Sequence, residues 1–183
     1  EASRLITQLC ERAGARRVTK GKSMVSEEMN LNEALEKSGI EVIETDLGEY
    51  IVQLASEKPS HIIAPAVHKT RDQITELFHH HHKPLGYHER LTERKAIVSE
   101  ARSVLRERFV TADVGITGAN FLVAETGSSV IVTNEGNGDL TSRLPRMQIV
   151  IAGIEKLIPS LEDLSTLLRV LARSATGQEM SAY

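Results

Sequence analysis

Apolar residues recur at every third or fourth position in several segments of the chain, a spacing that predicts amphipathic α-helices. The first such segment covers residues 3–14 and ends at a glycine. Asn30, with Glu33 three residues later, predicts the capped start of a second helix over residues 31–38, which Gly39 ends. The same spacing predicts the remaining helices over residues 47–55, 70–80, 91–108 and 160–173.

Short runs of β-branched and apolar residues lie between these helices and predict β-strands. Residues 147–154 (MQIVIAGI) form a continuous apolar run, which predicts a strand buried on both faces. Residues 112–138 alternate short apolar pieces with glycine turns, which predicts adjacent strands and a β-hairpin from about residue 120 onward. The other predicted strands cover residues 16–19, 40–45 and 60–67.

Strands that alternate with helices predict an α/β fold with a mostly parallel sheet, flanked by helices on both faces. The length of 183 residues suits a single domain. Apolar residues make up 40% of the chain and aromatic residues only 3%, so the core must be largely aliphatic. The chain begins with Glu1 and ends in a polar segment, from which we expect residues 1–183 to be a fragment of a longer protein.

Charge and cysteine content exclude several classes of function. The net charge is −3 with charged residues evenly spread, so wholesale binding of nucleic acid or of a membrane surface is not expected. No apolar run approaches the ~20 residues that a membrane span needs. Cys10 is the single cysteine, which excludes an internal disulfide and a cysteine-ligated metal cluster within these residues.

A glycine-rich loop after the predicted hairpin is a candidate anion site. Its asparagines and glycines tolerate positive φ angles and expose backbone N–H groups, while Arg143 adds a fixed cation nearby. Such a loop can hold a carboxylate or a phosphate, although an ordinary turn has the same composition. The candidate residues are Asn134, Glu135, Gly136, Asn137, Gly138 and Arg143.

Glu125, followed by Thr126 and Gly127, stands at a predicted strand end. A partly desolvated glutamate there can act as a base or a nucleophile, whereas a solvated turn carboxylate is the ordinary alternative. Its neighbours favour a site, because ligand sites of α/β sheets gather at strand ends. Polar and glycine residues expected at the same ends are Asp113, Gly118, Asn120, Asn134 and Glu135.

Two further clusters carry cations. Lys22 and Ser23 lie on a turn beside Lys20, but the spacing of a phosphate-binding P-loop is missing. His68 and Lys69 follow the predicted strand 60–67, where site residues are expected. All of these except Lys20 are candidate contacts for a small anion.

The run of four histidines, residues 79–82, raises the question of a metal site. Consecutive helical residues point in different directions, so only His79 and His82 share a face. Zinc sites need three or four converging ligands. We therefore expect a solvated helix end here and no metal site.

Residues 112–164 (ADVGITGANFLVAETG through LIPSLEDL) resemble the LUD domain of the lactate-utilisation protein B family, the iron–sulfur-binding subunits of a bacterial L-lactate oxidation system. The segments 22–54, 59–78, 105–109 and 173–178 resemble other stretches of the family in the same order. The resemblance covers nearly the whole chain and is weakest over residues 79–92.

The resemblance implies a fold related to the sugar-phosphate isomerase and CoA-transferase-like group. It also implies a cytoplasmic role in oxidising L-lactate to pyruvate with other lactate-utilisation subunits. In that family a ferredoxin-like region with two [4Fe–4S] clusters follows the LUD domain. With Cys10 alone, residues 1–183 cannot hold these clusters, so we expect no cofactor and no redox activity in this part of the protein.

Three functions remain open from the sequence. The LUD domain can bind a small hydroxy or keto acid, or dock a partner that does, with the loop 134–138 holding the anion and Glu125 handling a proton. A free-standing transferase or isomerase is the second, because related CoA transferases place a glutamate nucleophile in a similar Glu-x-Gly element. The third is a non-catalytic module for subunit assembly.

Overall fold

The computed structural model describes residues 1–21, 23–60, 64–133 and 135–179. The helices are α1 (Ala2–Arg12), α2 (Met24–Glu28), α3 (Leu31–Lys37), α4 (Leu47–Leu54), α5 (Arg71–His82), α6 (Arg94–Val110), α7 (Asn137–Arg143) and α8 (Leu161–Thr176). The strands are β1 (Arg17–Gly21), β2 (Glu41–Glu44), β3 (Val114–Gly118), β4 (Phe121–Val123), β5 (Ser128–Val130), β6 (Met147–Ile151) and β7 (Leu157–Ile158).

The described strands form two sheets. One has four parallel strands in the order β2-β1-β3-β6. The other has the order β5-β4-β7, in which β4 and β5 are an antiparallel hairpin and β7 runs parallel to β4. The predicted α/β class, with a parallel sheet, flanking helices and a hairpin portion, is confirmed.

Two hydrophobic clusters cover opposite faces of the parallel sheet. Val42 lies in a cluster with α1 and α3, to which the fully buried Cys10 also belongs. The next residue, Ile43, lies in a second cluster with α4, α5 and α6. Successive strand side chains point to opposite faces, so this one step along β2 divides the core into two layers.

Helix α7 packs on the sheet where a glycine admits it. A Cβ atom on Gly115 of β3 would lie 1.8 Å from the backbone oxygen of Thr141, so a side chain there would force the helix away.

No described helix combines the length and the apolar content that crossing a bilayer requires.

Several local predictions need correction. Strand β6 is the outer strand of the described sheet and is only partly buried, because it pairs with β3 alone among the described strands. Helix α3 begins as predicted after Asn30, but Asn30 is left-handed, with φ 48°, and makes no side-chain cap. Of the predicted strand 60–67, residues 61–63 lie outside the described residues, and residues 65–68 form a turn.

Helix α5 ends on a buried histidine, which contradicts the predicted solvated end. His82 is fully buried, its Nε2 lies 2.9 Å from the hydroxyl of Tyr50, and its Nδ1 lies 2.7 Å from Oε1 of Glu100. The ring of Phe78 packs 4.6 Å from the imidazole. Both ring nitrogens are therefore satisfied inside the core, and the network ties α4, α5 and α6 together.

Replacing Tyr50 with Phe should destabilise the protein by about 1–3 kcal/mol, because Nε2 of His82 then stays buried without a hydrogen-bond partner. Tyr87→Phe is the matched control, since its ring meets the edge of His82 and its hydroxyl makes no hydrogen bond to that imidazole. Urea unfolding should separate the two variants, and equal midpoints would contradict a stabilising role for the network.

Candidate functional site

The carboxyl ends of β1 and β2 bring a lysine and a glutamate together inside the fold. Lys20 and Glu44 are direct partners in the parallel register of the two strands. Both belong to the alternate positions that carry Val18 and Val42, so both point toward the layer of α1 and α3. Strand ends of α/β sheets are where ligand sites form.

Lys20 is 1% exposed, yet each proton of its ammonium group has an acceptor. Its Nζ lies 2.9 Å from Oε1 of Glu44 and 3.0 Å from Oγ of Ser26, and it also contacts the carboxylate of Glu27. Burial lowers the pKa of Lys20, but the two carboxylates outweigh this effect and raise the pKa above its usual value. The acceptors around Lys20 therefore favour its charged form within the protein.

Helix α2, which the sequence did not predict, supplies two of these acceptors. Ser23 begins the helix by accepting a hydrogen bond from the backbone N–H of Ser26 at 3.2 Å. The hydroxyl of Ser26 in turn donates to the backbone oxygen of Ser23 at 2.6 Å. Ser23 was a candidate anion contact, and the structure places it in a buried helix cap that positions Ser26 and Glu27 over Lys20.

A cavity of ≈ 270 Å³ opens beside this ion pair. We call it the acidic cavity. Gln53 stiffens its wall, because its side-chain amide donates to the backbone oxygen of Val42 at 2.7 Å and accepts from the backbone N–H of Glu44 at 3.0 Å. The polar residues that line the cavity include Glu27, Asn32, Glu36, Glu44, Glu49 and Glu57.

The surroundings of Glu49 favour its protonated form. Burial, followed by repulsion from Glu44, raises the pKa of Glu49 to about 8. Burial also raises the pKa of Glu44, against the opposing pull of Lys20. A carboxylic acid that titrates near neutrality beside a second carboxyl group is suited to accept or donate a proton.

Part of the predicted anion loop lies at the same carboxyl edge of the sheet as Lys20 and Glu44, near Gly21 of β1. A Cβ atom on Gly21 would lie 2.5 Å from Oγ1 of Thr45 and 3.9 Å from Nδ2 of Asn137. Asn137 and Gly138 are buried, and Gly136 is left-handed with φ 80°. The structure thus brings part of the loop to the carboxyl ends of β1 and β2.

Two other members of the predicted anion site, Arg143 and Glu135, are exposed and are not placed there. Arg143 points to solvent with 81% of its side chain exposed, and the nearest approach to Asp139 is 3.9 Å. Glu135 is exposed. Lys22 and Asn134 lie outside the described residues.

Glu125 stands apart from this loop. Glu125, Thr126 and Gly127 form the exposed tip of the β4–β5 hairpin, and Oε2 of Glu125 accepts a hydrogen bond from the backbone N–H of Leu161 at 3.1 Å, at the start of α8. Asn120 lies at the opposite end, where its Oδ1 accepts from the backbone N–H of Val132 at 2.8 Å. Three strand residues separate the two ends by roughly 10 Å.

His68 and Lys69 lie beside Glu57, which lines the acidic cavity. Both contact Glu57, with 2.7 Å between Nε2 of His68 and Oε2 of Glu57. Nδ1 of His68 lies 2.7 Å from Oγ of Ser60. These two predicted residues are therefore held by a carboxylate that lines the cavity.

Sequence reasoning missed Glu27, Asn32, Glu44 and Glu49 and treated Lys20 as part of a turn. One signal was present: Lys20 and Glu44 are charged residues at the ends of apolar strand runs, where burial demands a partner. Nothing in the sequence pairs one with the other, because 24 positions separate them.

Glu49→Gln should change how stability depends on pH. The wild-type carboxyl group has its folded pKa near 8, raised from 4.5, so the folded state binds the extra proton and wild-type stability falls as pH rises through that window. The glutamine variant lacks this loss. Calorimetric unfolding from pH 5 to pH 9 should show the variant gaining on the wild type; parallel curves would contradict the raised pKa.

Comparison with known proteins gives one consistent family. The model of the LUD domain family matches residues 1–183. The chain is 48% identical to lactate utilization protein B of Bacillus subtilis (strain 168), 47% to that of Geobacillus sp. (strain WCH70) and 46% to that of Bacillus thuringiensis (strain Al Hakam). In each case all of the chain aligns with 38% of the relative's length. No solved structure matches significantly. The chain belongs to the LUD domain family.

Proposed function

We propose that this chain is the LUD portion of an iron–sulfur protein that works with partner subunits in the cytoplasm to oxidise L-lactate to pyruvate. The observation that carries the proposal is the identity of 46–48%, along the whole chain, with proteins named lactate utilization protein B. The chain spans 38% of the length of those relatives, so the activity is proposed for the full-length protein.

The residues of this chain do not fit an iron–sulfur cluster. Cys10 is the single cysteine, it is fully buried, and burial raises the pKa of its thiol to about 11. A cluster ligand must be a thiolate, and several are needed. We therefore assign the two expected [4Fe–4S] clusters to the remainder of the full-length protein.

The contribution we propose for this domain is the binding of a small hydroxy or keto acid. The support is local: Gly21, Thr45 and Asn137 lie close together at the carboxyl ends of neighbouring parallel strands, and Asn137 is 7% exposed. An amide there can donate to a carboxylate. Docking of a partner subunit is the other role within the same proposal.

A transferase or isomerase that uses Glu125 stays a prediction. The carboxylate of Glu125 is exposed and already accepts a hydrogen bond from the first residue of α8. That contact accounts for a glutamate at this position without catalysis, since a negative charge stabilises a helix N-terminus.

A hybrid protein tests the role in lactate use. In a Bacillus subtilis strain that lacks lactate utilization protein B, a hybrid with residues 1–183 in place of the aligned segment should restore growth on L-lactate. The strain complemented by its own protein is the positive control, and growth on pyruvate checks general fitness. A hybrid that accumulates normally but leaves the strain unable to use L-lactate would contradict the proposal.

Titration calorimetry tests the small-acid site. L-Lactate or pyruvate should bind the full-length protein, and Asn137→Ala should weaken binding about tenfold, the loss expected for one hydrogen bond to a charged ligand. Arg143→Ala is the control, because its side chain is 81% exposed and should leave affinity unchanged. If both variants bind as the wild type does, Asn137 is not a ligand contact.

A further inference from the structure

Strand β6 is an edge strand without the features that usually protect one. Among the described strands it pairs with β3 alone, so its outer edge bonds to no described strand. Residues 147–154 (MQIVIAGI) contain no charged residue and no proline. Native proteins blunt a free strand edge with charges, with proline or with a covering element, because an open edge recruits further strands. The sequence of β6 is therefore that of an inner strand, although β6 is the outer strand of the described sheet.

The opposite edge of the same sheet has the protection that β6 lacks. Strand β2 begins and ends with a glutamate. The side-chain amide of Gln53 covers its outer edge, where it donates to the backbone oxygen of Val42 at 2.7 Å and accepts from the backbone N–H of Glu44 at 3.0 Å. The one described side-chain hydrogen bond of β6 joins Gln148 to Thr117 of the inner neighbour β3 at 3.2 Å. No described side chain thus covers the outer edge of β6 as Gln53 covers that of β2.

Helix α8 has a wider apolar side than the described residues cover. At 100° per residue, its leucines, valine and alanine occupy an arc of roughly 200° around the helix axis. Within this arc Leu164 is half-buried and Ala172 is buried, whereas Leu161, Leu167 and Val170 are 50%, 39% and 57% exposed. A surface helix normally buries its apolar stripe and exposes its polar side. Part of the apolar stripe of α8 is therefore left without a covering layer among the described residues.

We propose that a segment of the full-length polypeptide outside residues 1–183 pairs as a further β-strand with the outer edge of β6 and packs on the exposed apolar side of α8. The length of the relatives favours this occupant: the chain aligns with 38% of each, so most of such a polypeptide lies outside the aligned part. A segment of the same polypeptide is also present at a high effective concentration, which favours it over a second molecule.

This inference needs residues 1–183 to be part of a longer protein, but it does not depend on lactate oxidation. A hybrid protein that fails to restore growth on L-lactate would leave it untouched. Conversely, a free β6 edge would leave the proposed binding of a small acid near Asn137 in place, because Asn137 lies near Gly21 of β1 and not at the outer edge of β6. The two proposals therefore fail separately.

Photocrosslinking in the purified full-length protein identifies the occupant. Val170→p-benzoylphenylalanine should crosslink to a peptide from outside residues 1–183 of the same chain, in a product that migrates as a monomer. Leu167→p-benzoylphenylalanine should do the same, so the test does not rest on the folding of one variant.

Arg169→p-benzoylphenylalanine is the matched control, since Arg169 is exposed and lies on the polar side of α8. Because crosslinking requires contact, its yield of this product should be about tenfold lower. A product that joins two copies of the chain, or no product that reaches beyond residues 1–183 from either Val170 or Leu167, would overturn the proposal.

Hydrogen exchange at β6 gives an independent readout of strand pairing. Strand β3 lies between β1 and β6 and is the internal reference for a strand that is paired on both edges. In the full-length protein the amides of β6 should exchange as slowly as those of β3, because the added strand pairs with those that point outward. If the edge is free, about half of the β6 amides should exchange at least tenfold faster than those of β3, and that result would overturn the proposal.

Discussion

The buried ion pair of Lys20 and Glu44 organises the carboxyl edge of the sheet. A buried ammonium group must be fully paired, and loss of one partner of a buried pair typically costs about 3–5 kcal/mol. Helix α2 meets this demand through Ser26 and Glu27, and Asn32 of α3 donates to Oε1 of Glu44, the oxygen that Lys20 also contacts. Gln53 of α4 then anchors the backbone of β2. The charged pair is therefore held by residues of α2 and α3, and Gln53 joins α4 to the same strand beside the cavity.

The two buried polar networks of this protein differ in whether their polar atoms have hydrogen-bond partners. At His82 both ring nitrogens are satisfied by Tyr50 and Glu100, with the aromatic ring of Phe78 packed against the imidazole. Such a closed network holds helices in place. Among the residues that the structure describes, the network at Glu44 includes oxygens without a hydrogen-bond donor, and the pKa of Glu49 is raised to about 8. A carboxyl group with a raised pKa beside a cavity is typical of proton-handling sites.

The sequence predictions are accurate where a feature depends on residues that are close together in the chain, and wrong where it depends on distant ones. Helix α6 and its buried stripe, including Ile97 and Ala101, are confirmed because amphipathic spacing lies within one segment. The burial of His82 was predicted wrongly, because its partners come from helices 32 and 18 residues away in the sequence. The sequence also predicted one site shared by Glu125 and the loop after the hairpin. In the structure the three residues of β4 separate Glu125 from that loop, so the two lie at opposite ends of the hairpin.

By itself the sequence determined the α/β class, most helix positions, the hairpin and membership of the LUD domain family, since periodicity and turn chemistry are properties of consecutive residues. Only the tertiary structure decided which charges meet. The parallel register places Lys20 beside Glu44, and the partial burial of Glu49 on α4, with Glu44 nearby, raises the pKa of Glu49 to about 8. Register and desolvation depend on residues that are distant in the chain, and for that reason the acidic cavity was invisible until the strands and helices were assembled.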